Sequence, residues 1–437
     1  MSAPVDLTLL PASARIDANG RVAVAGVDLA AVAAEFGTPC YVYDEDELRA
    51  RCREYRDHFP GGAAYASKAF LCTAMARLVG EEGLDLDVAT GGELFVARRA
   101  DFPAERIVFH GNNKSTAELA AALEVGVGRI VVDSDAEIAR IEALVAAGAA
   151  APRVQVRVRP GVEAHTHEYI ETGGEDSKFG FGLGSGEALA AVRRIVSHGR
   201  LGFAGLHCHI GSQVFRLDAF GRAIERMVGL VAAIEAETGA TVDELNLGGG
   251  LGIRYLPDDA PPSTAEYAAA IIPAVSSALV DAGVRSRPRV MVEPGRSIAG
   301  PAGLTLYTVG TVKDIPGVRT YVAVDGGMSD NPRPVTYGAR YEAFLPERAD
   351  APRPLIATVV GKHCEQGDVV VRDAALPADV TVGDLLATPV TGAYGHSMAS
   401  TYNKVGRPPV VFLRAGRARL VVRRESDEML VSRDVDL

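Results

Sequence analysis

The chain has 437 residues, of which 48% are hydrophobic and 23% are charged, a composition typical of a soluble globular protein with sizeable cores. It excludes intrinsically disordered, collagen-like and coiled-coil classes. The 45 Lys and Arg residues against 56 Asp and Glu residues give a net charge of −11, and no basic patch stands out. The sequence therefore predicts neither nucleic acid nor a membrane surface as a partner.

The cysteines and the N-terminus bear on the compartment. The five cysteines are Cys40, Cys52, Cys72, Cys208 and Cys364. This odd, scattered set does not form a disulfide framework, so a reducing compartment is expected. The first ten residues lack the basic start and apolar core of a signal peptide, and no apolar run reaches the roughly eighteen residues of a membrane span. We expect a cytoplasmic protein.

Predicted strands alternate with predicted amphipathic helices from residue 38 to residue 299, which indicates repeated βα units. There are about eight such strands, the number that closes a parallel barrel. They end near residues 64–67, 86–88, 107–109, 130–132, 154–158, 206–209, 245–247 and 290–292. A doubly wound open sheet has the same local alternation, so periodicity alone does not separate the two folds.

Polar residues at the predicted strand ends favour the barrel. Nearly every strand carries or precedes a chemically capable group: Lys68, Asp87, His110, Asp133, Arg157, His209, residues 248–250 and Glu293. In a barrel these ends converge on one mouth, whereas an open sheet concentrates its site at one switch point. We therefore predict an α/β domain that forms a (β/α)8 TIM-like barrel.

The helical pattern stops near residue 303, and β-branched runs separated by Gly, Pro and Asp turns follow. These runs predict a second, all-β domain of sandwich or barrel-like type, which the strand-like first 35 residues join. The predicted division is therefore 36–302 for the barrel and 1–35 with 303–437 for the β domain. The long, polar, glycine-rich loop 165–182 is predicted to be functional.

Two strand-end motifs contain side chains suited to catalysis. Lys68 follows an apolar strand, where desolvation would suit it to a Schiff base, although an isolated lysine is usually a solvated surface group. His207 and His209 share one face of a strand, a spacing that suits a divalent metal. Alternatively, His209 packs on a flat aromatic cofactor, Ser212 binds an anion, and His207 belongs to the core.

A glycine run and an acidic motif follow later strands. The run at 248–250 can bring backbone N–H groups close to a phosphate, although it does not fit the dinucleotide motif and could be a simple turn. Glu293 and Arg296 add a carboxylate and a guanidinium. A lysine for the aldehyde, glycine amides for the phosphate and a carboxylate for the ring nitrogen are the parts of a pyridoxal 5'-phosphate site. No metal is predicted.

The chain resembles the barrel-type pyridoxal-phosphate-dependent decarboxylases of basic amino acids, and within them the diaminopimelate decarboxylases, over almost its full length. The motifs that carry the resemblance lie at 65–69, 109–114, 160–170, 177–180, 209–213, 248–250, 293–296, 328–337, 364–367, 392–394 and 397–403. The resemblance implies decarboxylation of meso-2,6-diaminopimelate to L-lysine, the last step of lysine biosynthesis. His396 stands where a less bulky residue is expected, which affects only fine specificity.

The same resemblance implies the role of each site residue. Lys68 is the Schiff-base lysine, His209 stacks on the ring, and Cys364 reprotonates Cα. The implied cofactor ligands are Lys68, His209, Ser212, Gly249, Gly250, Glu293, Pro294, Gly295, Arg296 and Tyr394. The implied substrate ligands are Arg296, Arg333, Tyr337, Glu365 and Tyr394. In the family the β-domain residues reach a neighbouring barrel, so the resemblance implies a homodimer with shared active sites.

Charge chemistry agrees with a substrate that has a distal carboxylate and a distal ammonium, because Arg333 and Glu365 could bind one each. Other classes remain as alternatives. These are a decarboxylase of another basic or carrier-bound amino acid, a catalytically dead regulator, a racemase and a metal-dependent barrel hydrolase. A regulator would be expected to lose Lys68 or Cys364, and a racemase usually places arginine where Glu293 stands.

Overall fold

The computed structural model describes residues 5–162 and 177–435. The chain divides into two compact units. The barrel unit comprises Arg51–Gly252 and Pro261–Gly295, and the β unit comprises Met1–Ala50, Ile253–Ala260 and Arg296–Leu437. Within the described residues, no helix is both long enough and apolar enough to cross a membrane.

The first described segment forms four short strands and two helices. Its elements are β1 (Arg15–Ile16), β2 (Val22–Val24), β3 (Val27–Asp28), α1 (Leu29–Phe36), β4 (Cys40–Asp44) and α2 (Glu45–His58). Strands β1 to β3 form an antiparallel sheet. The side chain of Asp28 caps α1 by accepting from the Ala30 N–H at 2.8 Å, and Gly37 ends the helix with a φ of 71°.

The barrel unit contains a closed ring of eight parallel strands. The strands of its sheet are β5 (Ala64–Ala66), β6 (Asp85–Val88), β7 (Ile107–Phe109), β8 (Arg129–Val132), β9 (Arg153–Arg159), β10 (Phe181–Gly182), β11 (Gly202–Cys208), β12 (Glu244–Asn246) and β13 (Arg289–Met291). Strand β10 pairs only with β9, outside the ring. A parallel bridge between Ala63 and Val292 joins the first and last strands, with the Ala64 N–H donating to the Val292 carbonyl at 2.9 Å. The predicted barrel is confirmed.

Helices follow the strands as the sequence pattern predicts. They are α3 (Thr73–Glu81), α4 (Gly91–Arg99), α5 (Thr116–Val125), α6 (Asp135–Ala146), α7 (Glu187–His198), α8 (Asp218–Thr238) and α9 (Thr264–Asp281). Helices α5 and α9 each begin with a capping box, formed by Ser115 with Glu118 and by Ser263 with Glu266. Ala64, Val108 and Val131 pack together as a buried cluster contributed by three strands.

Charged side chains cluster at the amino ends of the barrel strands. Arg129 donates to both oxygens of Glu244, at 2.5 and 2.7 Å, and Arg289 donates to the same carboxylate at 2.7 Å. Gln155 adds a fourth hydrogen bond at 2.7 Å. Burial opposes the charge of Glu244, but these donors lower its pKa from 4.5 to about 2. The amino end is therefore held by a buried, ionised carboxylate with matched partners.

The β unit is built on a mixed sheet. Its remaining elements are α10 (Arg296–Ala299), β14 (Gly303–Ile315), β15 (Arg319–Val324), α11 (Arg333–Tyr337), β16 (Leu355–Val360), β17 (Val369–Leu376), β18 (Leu385–Pro389), β19 (Val410–Arg414), β20 (Arg417–Val422) and α12 (Asp427–Val431). The strand order is β17-β16-β15-β14-β4-β19-β20, and β18 also pairs with β14. The second, all-β domain is confirmed in its strand content.

The limits of the two units differ from the predicted division at three places. Strand β4 pairs with β14 and β19, so it lies in the β unit although the sequence pattern places it at the start of the βα repeat. Ile253 and Tyr255 belong to the hydrophobic core of the β unit. Residues 296–302 group with the β unit as well. A buried strand followed by a helix has the same local pattern in either unit, so periodicity could not assign β4.

Candidate active site

Lys68 is presented on a short turn at the carboxyl end of β5. A single turn of 3-10 helix, Ser67–Ala69, follows this strand, and the flanking Ser67 and Ala69 are buried while Lys68 is exposed. The rigid turn therefore presents an accessible amine. The other strand-following lysine in the barrel unit, Lys114, is 1% exposed and contacts Glu137 and the Gly111 and Val131 carbonyls at 2.7–2.9 Å. The Lys114 amine is therefore occupied by buried contacts, so Lys68 is the better candidate for the reactive amine.

His209 follows β11 and packs against the glycine run. A Cβ placed on Gly248 would lie 3.0 Å from both Cβ and Nδ1 of His209. Burial lowers the pKa of His209 well below its usual value, and the charges of Lys68 and Arg157 lower it further. His209 is therefore a neutral, flat ring. Ser212 lies four residues after β11 and is half-buried.

The glycine run 248–250, called the glycine cradle below, lies where an added side chain would collide with neighbouring main chain. Gly248 and Gly250 have φ values of 70° and 116°, a region that favours glycine. A Cβ on Gly249 would overlap the Glu293 carbonyl oxygen, and one on Gly250 would overlap the Gly211 carbonyl oxygen. Glycine is therefore needed here for close main-chain packing, and Gly249 and Gly250 are only half-buried, so their N–H groups can approach a phosphate.

The segment after the last barrel strand packs against the turn that carries Lys68. The Pro294 carbonyl accepts from the Ala66 N–H at 3.0 Å, and a Cβ on Gly295 would lie 2.9 Å from the Ala66 Cβ. Close approach of the two segments requires glycine at 295. The structure therefore joins the Lys68 turn to the segment that carries Glu293.

Glu293 is 6% exposed and has partners on both carboxylate oxygens. Its Oε1 lies 2.7 Å from His110 Nε2 and accepts from Asn246 Nδ2 at 2.7 Å, while its Oε2 lies 3.0 Å from His207 Nε2. Burial alone would raise the pKa of Glu293, but His110 and His207 hold it well below the usual range. The site therefore contains a buried carboxylate in its ionised form.

His110, His207 and Glu293 also have the composition of a metal-binding set. Their possible ligand atoms all lie within 4.8 Å of one another. Both imidazoles, however, direct Nε2 at the carboxylate at hydrogen-bond distance. With an accessible lysine and a glycine cradle in the same unit, the donor set fits pyridoxal phosphate, whose ring nitrogen needs a carboxylate.

The β unit contains a separate cluster of arginine and tyrosine side chains. Arg296 donates to the Tyr255 hydroxyl at 2.7 Å and lies 4.8 Å from the centre of the Tyr394 ring. Arg333 donates to the Tyr341 hydroxyl and lies 4.7 Å from the centre of the Tyr255 ring. Both arginines are 6% exposed. The Arg–Tyr cluster thus joins three predicted residues, Arg296, Arg333 and Tyr394, to two that the sequence did not indicate.

The electrostatics of the Arg–Tyr cluster suit an anionic ligand. Burial opposes the charge of Arg333, but Tyr255 and Tyr341 raise its pKa. Burial likewise opposes ionisation of Tyr255, yet the two guanidinium groups lower its pKa. Tyr394 has a φ of 65°, a conformation that is rare outside glycine and is often found at functional sites. Two buried guanidinium groups that contact hydroxyls are suited to bind a carboxylate.

Cys364 and Glu365 lie on the loop between β16 and β17, and both are exposed. The Cys364 N–H donates to Asn403 Oδ1 at 3.0 Å, and Asp368 accepts from the His363 and Met328 N–H groups. The loop backbone is therefore held while its tip is accessible. Tyr337 ends α11 and is half-buried, with its hydroxyl 4.0 Å from the Met398 sulfur.

Some site features lie beyond sequence reasoning or beyond the described residues. Tyr255 and Tyr341 belong to no motif that indicated a role, and Asn246 was predicted only as part of a strand. The stretch 160–170, which resembles the family, and the loop 165–182, which is predicted to be functional, fall largely on residues 163–176, outside the described residues. Only their flanks are placed, among them Gly180, whose N–H donates to Asp133 at 2.9 Å.

Comparison with known proteins places the chain in a family. Residues 45–300 match the family model described as pyridoxal-dependent decarboxylase, pyridoxal binding domain. The chain is 51% identical to diaminopimelate decarboxylase of Mycobacterium tuberculosis over 435 residues, covering 97% of each. It is 47% identical to that of Bacillus subtilis over 431 residues, covering 98% of each.

A solved structure is also similar to this chain over nearly its whole length. The crystal structure of diaminopimelate decarboxylase from M. jannaschii, in complex with L-lysine, matches with a TM-score of 0.90 and 32% identity over 98% of each chain. The fold, the cofactor and the class of reaction follow: the cofactor is pyridoxal phosphate and the enzyme is a carboxy-lyase. The chain belongs to the family of pyridoxal-dependent decarboxylases.

Proposed function

We propose that the chain decarboxylates meso-2,6-diaminopimelate to L-lysine and carbon dioxide. The observation that carries this proposal is the pair of clusters, one in each unit. The barrel unit holds an accessible lysine, a glycine cradle and a buried ionised carboxylate. The β unit holds two buried guanidinium groups. The relatives named as diaminopimelate decarboxylases support the choice of substrate.

In the barrel unit, Lys68 would hold the cofactor aldehyde, and Gly249 and Gly250 with Ser212 would bind its phosphate. His209 offers a neutral ring face for stacking, and Glu293 provides the negative charge for the ring nitrogen. The bound cofactor supplies a sink for the electron pair that remains at Cα when carbon dioxide leaves. We assign Pro294, Gly295, Arg296 and Tyr394 as further cofactor contacts. We propose that the cofactor-binding domain, predicted as 36–302, corresponds to the barrel unit, and the family match over residues 45–300 supports its approximate extent.

In the β unit, Arg333 would bind the distal carboxylate of the substrate and Glu365 its distal ammonium, with Arg296, Tyr337 and Tyr394 as additional contacts. A planar guanidinium binds a carboxylate through two parallel hydrogen bonds, which also fixes its orientation. Cys364 would return a proton to Cα from its thiol. We propose that the chain is a homodimer in the cytoplasm, and the exposure of Cys364 and Glu365 leaves both side chains accessible to a second copy.

The substrate is tested by measuring carbon dioxide release from meso-diaminopimelate, lysine, ornithine and arginine under identical conditions. We expect release from diaminopimelate alone, because the other three lack the distal carboxylate and leave a buried guanidinium unpaired. Faster turnover of ornithine or arginine would contradict the substrate assignment, and the cofactor and fold would be unaffected.

The shared site is tested with mixed subunits. Lys68→Ala and Cys364→Ala chains are each expected to be inactive. After subunit exchange, heterodimers should regain activity, because one of their two sites then has both Lys68 and Cys364. Verified exchange without recovered activity would show that each chain completes its own site.

A further inference from the structure

The carboxylate of Glu293 is fixed by side chains from three different parts of the barrel. His110 follows β7, His207 lies in β11, and Asn246 ends β12. The two imidazole rings contact one another edge to face, with centroids 4.8 Å apart and an interplanar angle of 64°. Each approaches a different oxygen of Glu293, at 2.7 Å for His110 and 3.0 Å for His207. The carboxylate is thus held on both sides.

The two histidines differ in charge. His207 is 1% exposed, and burial lowers its pKa to about 4, so at neutral pH it is a neutral ring with its hydrogen on Nε2. Its Nδ1 has no hydrogen-bond partner among the described residues. His110 lies 3.8 Å from Asp87 as well as 2.7 Å from Glu293. Burial opposes its protonation, yet these two carboxylates raise its pKa.

The surroundings of His110 favour a positive charge on its ring. The other charged groups that face the three residues or Asp87 are Lys68, Glu93 and Arg157. Burial raises the pKa of Asp87 to about 7, against the charges of His110 and Lys68. A protonated His110 between Asp87 and Glu293 therefore compensates buried negative charge that has few other close partners.

We propose that His110 and His207 are positioning residues that act on the reaction through Glu293, by fixing its carboxylate and keeping it ionised. This proposal rests on the assignment of Glu293 to the ring nitrogen of the cofactor. A buried carboxyl with no donors takes up a proton, and a neutral carboxyl cannot favour a protonated ring. The two imidazoles prevent this. His207 contributes a neutral hydrogen bond, and His110 contributes a positive charge whose Nε2 lies 2.7 Å from the other carboxylate oxygen.

The test reads the protonation of the ring nitrogen directly. Apoenzyme is loaded with pyridoxal phosphate labelled with 15N in the ring, and the 15N chemical shift is measured by NMR from pH 6 to pH 9. The variants are His110→Gln, which keeps a donor and removes the charge, His207→Leu, which removes the donor, and His207→Gln, which keeps an amide donor. The matched control is His198→Gln, because His198 pairs with Glu142 at 2.9 Å on the surface of the same unit.

We expect the 15N signal of His110→Gln and His207→Leu to move towards the value for a deprotonated ring, and that of His207→Gln to stay closer to wild type. The kcat of the first two should fall roughly tenfold for each pKa unit lost, with KM changed less. His198→Gln should match wild type. If either His110→Gln or His207→Leu keeps the wild-type shift, the proposal is wrong. If His207→Leu does not fold, His110→Gln alone decides in the same way.

Two further measurements distinguish the positioning roles of His110 and His207 from a failure of the Glu293 assignment and from a metal site. Glu293→Gln provides the reference shift, and a fully protonated ring in that variant would overturn the role of Glu293 itself. If only the histidine variants keep the wild-type shift, the positioning roles alone fail. Dialysis of wild type against a chelator should change neither signal nor activity, and a loss of both would assign the three residues to a metal instead.

Discussion

The two ends of the barrel each contain a buried glutamate, but the groups that hold its charge differ. At the amino end, Glu244 accepts from Arg129, Gln155 and Arg289, and its pKa falls to about 2. At the carboxyl end, Glu293 is held by two imidazoles, and among the described residues each of these rings has one nitrogen without a hydrogen-bond partner, although His110 Nε2 lies 2.7 Å from the carboxylate. Permanent cations stabilise a charge pattern, whereas imidazoles leave it responsive to a ligand and to pH.

Two strands show the contrast within a few residues. Strand β6 carries Asp85 at its start and Asp87 near its end, and β12 carries Glu244 at its start and Asn246 at its end. Asp85 lies 3.5 Å from Arg106 and 3.8 Å from Arg129, whereas among the described residues the basic side chain that lies within 4 Å of the Asp87 carboxylate is His110, at 3.8 Å. The position of a charge along a barrel strand therefore indicates whether it serves stability or chemistry.

The largest effect is expected from Lys68→Ala. The purified protein should lose the visible absorbance band of the lysine-bound cofactor and nearly all activity, because no other amine holds the aldehyde. Lys114→Met is the comparison variant, since the Lys114 amine is buried against Glu137. Lys114→Met should lower the free energy of unfolding. At temperatures where this variant is folded, the absorbance band of the lysine-bound cofactor should remain. Activity and a visible band in Lys68→Ala would exclude the assignment.

Replacing the buried glutamate by glutamine should mainly lower turnover at the carboxyl end of the barrel and mainly lower stability at the amino end. Glu293→Gln should lower kcat by roughly 10²–10³-fold, the size expected when one electrostatic contact that stabilises the transition state is lost, with a smaller change in thermal stability than at Glu244. Glu244→Gln should lower the free energy of unfolding by about 3–5 kcal/mol, the cost of breaking a buried ion pair, with kcat retained in the folded enzyme. Unfolding curves and turnover on both variants check this. Equal loss of turnover in both would remove the contrast.

Arg333→Ala should cost roughly 2–5 kcal/mol in kcat/KM for diaminopimelate, as truncating one partner of a buried charge contact does. Arg333→Lys should recover only part of it, because an ammonium cannot form two parallel hydrogen bonds with a carboxylate. Arg319→Ala serves as a control on an exposed arginine of the same unit. Steady-state kinetics decide the point, and an undiminished kcat/KM in Arg333→Ala would remove this residue from the substrate site.

The pH dependence of stability should be the smallest effect. The pKa of Glu244 is about 2 in the folded chain against 4.5 ordinarily, so its contribution is fully present above pH 4.5 and is lost as pH falls towards 2. That difference corresponds to roughly 3 kcal/mol. Urea unfolding at several acidic pH values should show a shallower pH dependence in Glu244→Gln than in wild type. Parallel curves would contradict the account of the amino end.

The sequence predicted the barrel because chemically capable polar residues follow nearly every predicted strand. Lys68, His209 and Glu293 each stand directly after an apolar run, so their common location follows from parallel strands alone. The contacts of Glu293 with His110 and His207 could not be predicted in this way. They join residues 183 and 86 positions apart, and His207 reads as an ordinary core residue of its strand.

The Arg–Tyr cluster shows the other limit of sequence reasoning. Arg333 was predicted from a motif, but its partner Tyr341 lies in an irregular segment and Tyr255 between two barrel strands. A tyrosine that supports an arginine by ring contact has no spacing signature, because the contact depends on the tertiary path of both segments. The family resemblance therefore indicated both arginines of the Arg–Tyr cluster and did not indicate Tyr255 and Tyr341, which contact them.

The segment Ile253–Ala260 makes the chain leave the barrel unit and return to it before the last strand. Neither unit is a continuous stretch of polypeptide, so neither can be obtained by cutting the chain once. During synthesis, the β-unit strands that pack against Ile253 and Tyr255 emerge only later, and the first of them, β14, begins at Gly303, 50 residues after Ile253 and 48 after Tyr255. A fragment ending at residue 302 would expose these two side chains to water and would be prone to aggregation.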